Sequence, residues 1–232
     1  DSIKPRDGRF GCVPSKIRDS ALDNLSTKVR SILGTSHRQK AVKNVVGEIR
    51  QGLNQLFSLP EGYEILLGNG GSTAFWDIAT FALIEDRSQH LTFGEFSAKF
   101  ASAAKAAPFL KDPSVISSEP GTHPLPKAES GIDTYALTHN ETSTGVAMPI
   151  KRPEGIGESL VLVDATSAAG GLHVSANEFD TYYFAPQKSF ASDGGLWIAV
   201  MSPRAIARIE KISKSGRWIP AFFDLSFALE NS

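Results

Sequence analysis

The chain is poor in the features that would commit it to a cross-linked, metal-held, membrane or nucleic-acid role. A single cysteine, Cys12, in 232 residues excludes an internal disulfide and any cysteine-based zinc cluster, and suits a reducing compartment. The histidines, His37, His90, His123, His139 and His173, are scattered without ligand spacing, so no metal centre is expected. No apolar run approaches the roughly 20 residues that a membrane helix needs, and the opening, Asp1 to Arg9, is polar and unlike a signal sequence. Neither sign of charge prevails: 24 basic residues face 25 acidic ones, and no basic stripe is interleaved with aromatics. The sequence therefore offers nothing to nucleic acid or an acidic membrane surface. A soluble, cytoplasmic protein that acts on a small molecule is the class that remains.

What is present fits a globular chain. Hydrophobic residues at 41% and charged residues at 21% lie far from the signature of disorder, and the length suits one large domain over residues 1–232. Val42, Val45, Val46, Ile49, Leu53 and Leu56 recur at helical spacing and predict a helix from about Gln39 to Phe57. Short apolar runs bounded by turn residues predict buried strands at 63–67, 90–93, 134–137, 160–163, 181–184 and 196–201. Segments of helical composition, 72–84 and 95–106, alternate with them, which argues for an α/β fold with a mostly parallel sheet covered on both faces. Four prolines between Lys111 and Gly131 mark a strand followed by surface loop. The ending, Asp224 to Ser232, reads as having neither a cap nor a final strand, as a piece of a longer chain would.

In open α/β sheets ligands collect at the carboxyl ends of strands, and four such ends are unusual. Gly68-Asn69-Gly70-Gly71-Ser72-Thr73 lies between a strand and a helix, where free N–H groups attract an anion such as phosphate. A glycine turn that merely joins the two elements accounts for the same residues equally well. The loop lacks the lysine of a P-loop, and Thr73 stands where a dinucleotide fingerprint wants its third glycine, although Glu95 could imitate the ribose-binding acid. Leu160 to Asp164 is an apolar run closed by one carboxylate, able to keep a ligand's pyridinium nitrogen protonated or simply to cap the turn of Ala165 to Ser167. Thr138 to Gly145 is a polar cluster suited to hydrogen-bonding a ring substituent, or a plain hydrogen-bonded turn. Lys188 follows the run Tyr182 to Phe184. A lysine inside an apolar site has its pKa lowered, and only the neutral amine condenses with an aldehyde; a solvated surface lysine is the ordinary alternative.

The conjunction is more specific than its parts. Ser36-His37-Arg38, residues 68–76, Phe93-Gly94-Glu95-Phe96, residues 139–145, Ala185-Pro186-Gln187-Lys188 and Ser192-Asp193-Gly194-Gly195 together resemble the class V aminotransferases among the fold-type I pyridoxal 5′-phosphate (PLP) enzymes. Within them the likeness is to the phosphoserine aminotransferase family of the actinobacterial kind, over essentially the whole chain. The resemblance implies a large PLP-binding domain, a mostly parallel seven-stranded sheet between helices, with the C-terminal small domain absent. It implies Lys188 as catalytic residue and Schiff-base anchor, Ser72 and Thr73 on the cofactor phosphate, and Phe96 stacked on the ring. It further implies Thr142 and Gln187 in contact with the cofactor, Asp164 on the ring nitrogen, and His37 and Arg38 on the substrate's phosphate or carboxylate across a homodimer interface. The implied reaction moves an amino group between glutamate and 3-phosphohydroxypyruvate, in serine and pyridoxine biosynthesis.

The chain departs from the family at Thr73, where many members carry arginine, and at Val13-Pro14, where Gly-Pro is usual. Family members also continue into a segment whose Asn-Thr pair reaches the neighbour's cofactor, and into a small domain with a carboxylate-binding arginine. The competing readings are an aminotransferase of the alanine or serine–glyoxylate type, a PLP-binding domain that does not turn over, and a nicotinamide-dependent oxidoreductase. A cysteine desulfurase is disfavoured by the position of Cys12.

Overall fold

The computed structural model describes Ile3 and residues 14–230; Cys12 and Val13 lie outside the described residues. Helices α1 (Asp19–Thr27) and α2 (Lys40–Phe57) precede β1 (Glu64–Asn69), α3 (Gly71–Ala82), β2 (Ser88–Thr92), α4 (Glu95–Ala106) and β3 (Ser114–Ser117). Next, β4 (Thr134–Thr138) leads into a small ribbon of β5 (Asn140–Glu141) and β6 (Val146–Ala147). The remaining elements are β7 (Leu160–Asp164), β8 (Thr181–Phe184), β9 (Leu196–Met201), α5 (Pro203–Ser213) and α6 (Leu225–Glu230).

Seven strands form one sheet in the order β1-β9-β8-β7-β4-β2-β3. Six of them, β3, β2, β4, β7, β8 and β1, run in one direction, while β9 lies between β8 and β1 and is antiparallel to both. The exception has a physical cause. A parallel neighbour needs a crossover, usually a helix, to carry the chain back, whereas residues 185–195 hold none and return β9 beside β8.

Strand alternation divides the core into two layers. Val161, Val163, Tyr182, Phe184, Ile198 and Val200 face one side, while Leu160, Leu162, Tyr183, Ala199 and Met201 face the other. Such double-sided burial is why these strands read as continuous apolar runs. Helices α3, α4, α5 and α6 cover the second side through Phe75, Ile78, Phe100, Ile209 and Leu225. The first side is covered by α2, through Leu53 and Phe57, and by irregular segments carrying Met148, Ile150, Ile156 and Phe179, so helices lie on both faces as expected, more sparsely on this one. Of the predicted apolar stripe on α2, Leu53 is buried, whereas Val45, Ile49 and Leu56 are exposed.

Two features were not anticipated. Helix α5 begins where Ser202 Oγ accepts a hydrogen bond from Ala205 N, with Pro203 in the first turn. Near the end of the described residues Asp224 Oδ1 accepts from Ser226 N at 2.9 Å and opens a short helix, α6, that the sequence reading did not place. Among the described residues no helix is long and apolar enough to cross a membrane, and no cluster of three potential metal ligands occurs.

Candidate active site

Because β9 runs against its neighbours, its start lies at the edge where the parallel strands finish. Gly70 N donates to Gly195 O at 2.9 Å and ties the end of β1 to the start of β9. A cavity of about 300 Å³ opens on this edge, lined by Ser72, Thr73, Phe96, Thr142, Asp164, Gln187 and Lys188 together with Trp76, Asn140, Thr166 and Ser167. All seven residues expected on the cofactor side are thus brought together. A hollow of about 490 Å³ between the end of α2 and residues 170–176 contains no lysine, arginine or acid and none of the expected residues.

The glycine loop is built for close approach. Gly70 and Gly71 take φ values of 113° and 71°, in the region that favours glycine. They turn the chain from β1 straight into α3, whose N-terminus has no capping side chain. The first-turn N–H groups of such a helix have no acceptors within it. Ser72 sits in this turn, buried, and its hydroxyl has no hydrogen-bond partner among the described residues. Nor does the buried Gln187 Oε1.

Asp164 ends β7, and both of its oxygens are engaged. Oδ1 accepts from Thr166 N at 3.0 Å and Thr166 Oγ1 at 2.6 Å, so the turn-capping reading of this residue is fulfilled. Oδ2 accepts from Trp76 Nε1 at 2.9 Å and Tyr183 Oη at 3.3 Å. Burial pushes the Asp164 carboxyl pKa up, and the donors from Thr166, Trp76 and Tyr183 offset this only in part. A positive ligand atom beside it would lower it. Trp76, Thr166 and Tyr183 had no assigned role in the sequence; their part depends on strand neighbours that only the fold brings together.

Opposite lies the end of β4. Asn140 Nδ2 and Thr142 Oγ1 each donate to Ser167 Oγ at 2.8 Å, which fixes this wall to the turn after Asp164. Behind it His139 is buried, its Nδ1 3.0 Å from Tyr182 Oη, and burial pushes its pKa down to about 4, so the ring is neutral near pH 7.

Lys188 is half-buried in the loop that follows β8, which is buried along its length as expected. Ser192 N donates to Pro186 O at 3.2 Å, Ala191 N to Lys188 O at 3.0 Å, and Ser15 N to Gln187 O at 2.7 Å, so the loop is held from within and from the N-terminal segment. His37 and Arg38 are exposed on the turn before α2 and do not line the cavity of their own chain. Glu95, the candidate ribose acid, pairs instead with Lys99 at 2.5 Å and lies outside the cavity lining.

Residues 13–222 match the family model for aminotransferase class-V, and the chain belongs to that family. This displaces the nicotinamide-dependent alternative. Within the family, the chain is 64% identical over 232 residues to a phosphoserine aminotransferase of Nocardioides sp., covering 99% of this chain and 62% of that protein. It is 58% identical over 231 residues to a putative phosphoserine aminotransferase of Mycobacterium leprae, covering 100% of this chain and 61% of that protein. The chain thus spans about three fifths of the length of these curated relatives. Among solved structures, a phosphoserine aminotransferase from Cytophaga hutchinsonii superposes with a TM-score of 0.84 at 24% identity, over 94% of this chain and 62% of that one. A PLP-bound phosphoserine aminotransferase from Trichomonas vaginalis gives 0.81 at 19% identity, over 96% of this chain and 67% of that one. At these identities the structural likeness is one of fold.

Proposed function

We propose that the protein is a PLP-dependent phosphoserine aminotransferase that exchanges an amino group between glutamate and 3-phosphohydroxypyruvate, and that residues 1–232 are its cofactor-binding large domain. The observation that carries this reading is the convergence of Lys188, Asp164 and Ser72 on one cavity that retains buried polar atoms unpartnered among the described residues. Unpartnered buried polar groups are rare, because each costs roughly 1–3 kcal/mol. A ligand that supplies an acceptor to the Ser72 hydroxyl and a donor to Gln187 Oε1 removes that cost. The donor set fits PLP: a helix N-terminus and a hydroxyl for its phosphate, a carboxylate for its ring nitrogen, and an amine for its aldehyde.

When bound, PLP supplies an electron sink for the carbanion formed at the substrate's Cα. Lys188 would supply the amine that holds the cofactor's aldehyde, and its Nζ, when free, would carry the proton to and from the substrate's Cα. Asp164 would hold the ring nitrogen and favour its protonated form. Phe96 would face the ring, Thr142 and Gln187 would hold its substituents, and Ser72 and Thr73 would take the phosphate. In place of the arginine frequent in the family, Thr73 leaves phosphate binding more dependent on N–H groups.

A homodimer in which His37 and Arg38 serve the partner's site accords with their exposure outside their own cavity. It also accords with the exposed apolar positions Leu22, Leu25, Val45, Ile49 and Leu56 on α1 and α2, which a second copy would cover. Arginine's planar fork of donors suits a phosphate or carboxylate. A cytoplasmic setting, with serine and pyridoxine synthesis as the outlets of the product, completes the reading.

The test is Lys188→Ala. The parent protein mixed with PLP is expected to keep a visible absorbance band through dialysis and to become irreversibly labelled on borohydride reduction. Lys188→Ala is expected to lose both. A band that survives dialysis unchanged in the variant would sink the assignment.

A further inference from the structure

Glu141 is fully buried at 0% exposure, next to Thr142. A buried carboxylate is costly unless donors surround it, and here they do. Oε2 accepts from Ser97 N at 2.8 Å; Oε1 accepts from Ser143 Oγ at 2.8 Å and from Phe96 N and Ser143 N at 3.3 Å each. Burial alone pushes its pKa up, yet the hydrogen bonds from Ser97, Ser143 and Phe96 outweigh this and the net shift is down, so the group is ionised.

Phe96 and Ser97 are the second and third residues of α4, and the capping position before them is Gly94, which has no side chain to offer. Glu141 therefore reaches from β5 to do what an aspartate or serine at the cap does elsewhere, with its charge at the favourable end of the helix dipole. Gly94 makes room for it: a Cβ there would lie 2.3 Å from Glu141 Cγ. Two further bonds join the same segments, Glu95 N to Ser143 Oγ at 2.8 Å and Thr144 Oγ1 to Phe93 O at 3.1 Å. The turn that presents Phe96 and the turn that presents Thr142 are thereby locked to each other.

From this geometry we infer that Glu141 is a positioning residue: by clamping the first turn of α4 to the β5 turn it sets the spacing of Phe96 and Thr142, two walls of the cavity, and so the seating of the ring proposed to bind there. The inference rests on the PLP reading of the cavity.

The experiment titrates the purified protein with PLP, following visible absorbance and induced circular dichroism of the cofactor, for the parent, Glu141→Gln, Phe96→Ala and the double variant. Glu141→Gln is expected to bind roughly tenfold more weakly, the scale of a charged hydrogen bond exchanged for a neutral one, with an altered induced dichroism. In the Phe96→Ala background the same substitution should cost roughly threefold or less, because the wall it positions is gone; equal losses in both backgrounds mark a cap that serves the fold alone. Ser143→Ala, which removes one donor to Glu141, should move both signals the same way by a smaller factor, and it carries the test if Glu141→Gln does not fold. Unchanged affinity and dichroism, or additive losses, overturn the inference and leave the cofactor reading standing. A parent protein that binds no PLP overturns both.

Discussion

The two edges of the sheet differ in how completely their polar groups are paired. At the amino edge the buried charges are richly partnered. Asp133, just before β4, accepts from Glu85 N at 3.0 Å, from Asp86 N, Arg87 N and Thr134 Oγ1 at 2.7 Å, and from Arg208 Nη1 at 2.9 Å. Asp180, just before β8, accepts from Arg152, from Val161 N and from Ser202 Oγ. Arg217 donates to the carbonyls of Phe81, Ile84 and Glu85. At the carboxyl edge the carboxylates Asp164 and Glu141 are likewise given donors, but Ser72 Oγ and Gln187 Oε1 have no partner among the described residues. Saturated polar groups stabilise a fold and respond to nothing; unsaturated ones weaken it and are free to recognise a ligand.

The comparison can be broken most forcefully at Asp133. Asp133→Ala leaves Arg208 and three backbone N–H groups without their acceptor and should cost about 3–5 kcal/mol of stability, read by chemical denaturation. The PLP affinity of the fraction that remains folded should be unchanged.

A second measurement uses pH. Asp164 has its pKa raised above 3.8 by burial, so between 3.8 and its folded value the native state holds a proton that the unfolded chain has lost. Its contribution therefore falls as pH rises through that window. Asp133 is the reverse: burial pushes its pKa up, but backbone and Thr134 donors outweigh burial and leave it below 3.8. Its contribution is present above 3.8 and is lost as pH falls through the folded value. Unfolding free energies of ligand-free Asp164→Asn and Asp133→Asn, each subtracted from the parent's, should slope in opposite directions with pH, with a limit of about 1.4 kcal/mol per pH unit. Slopes of the same sign would remove the distinction between the edges.

The smallest effect is the most diagnostic. Ser72→Ala deletes a hydroxyl that bonds to nothing described, so the ligand-free protein should hold or gain up to about 1 kcal/mol in thermal unfolding. Its affinity for PLP should nonetheless fall roughly tenfold in a spectral titration, as for one lost charged hydrogen bond. A loss of stability without a loss of affinity would make Ser72 an ordinary core residue.

Much of this was legible in the sequence because it is local. The buried strands declared themselves as apolar runs, β8 at its actual bounds, and the residues at their ends could be named as candidates before any neighbour was known. Helix α5 was missed although Ser202-Pro203 and the spacing of Ile206, Ile209 and Ile212 signalled it. What was not legible depends on pairing between distant segments. Nothing in Trp76 or Tyr183 predicts that both will donate to Asp164, and nothing in Gly94 reveals that Glu141 needs its space. His37 and Arg38 were assigned through resemblance, and within a single chain they remain apart from the cavity.

The position of β1 has a consequence for how the molecule is made. As an edge strand it pairs, among the described residues, with β9 alone, Glu64 opposite Met201 and Asn69 opposite Leu196. Contacts between residues so far apart in sequence form late, since a long loop must close before they repay it. During synthesis the glycine turn after Asn69 therefore emerges early but waits, unanchored, until Leu196 to Met201 has followed. A growing chain can acquire the β2–β3 pairing well before β1 finds its neighbour, so the phosphate grip proposed for the glycine turn waits on β9.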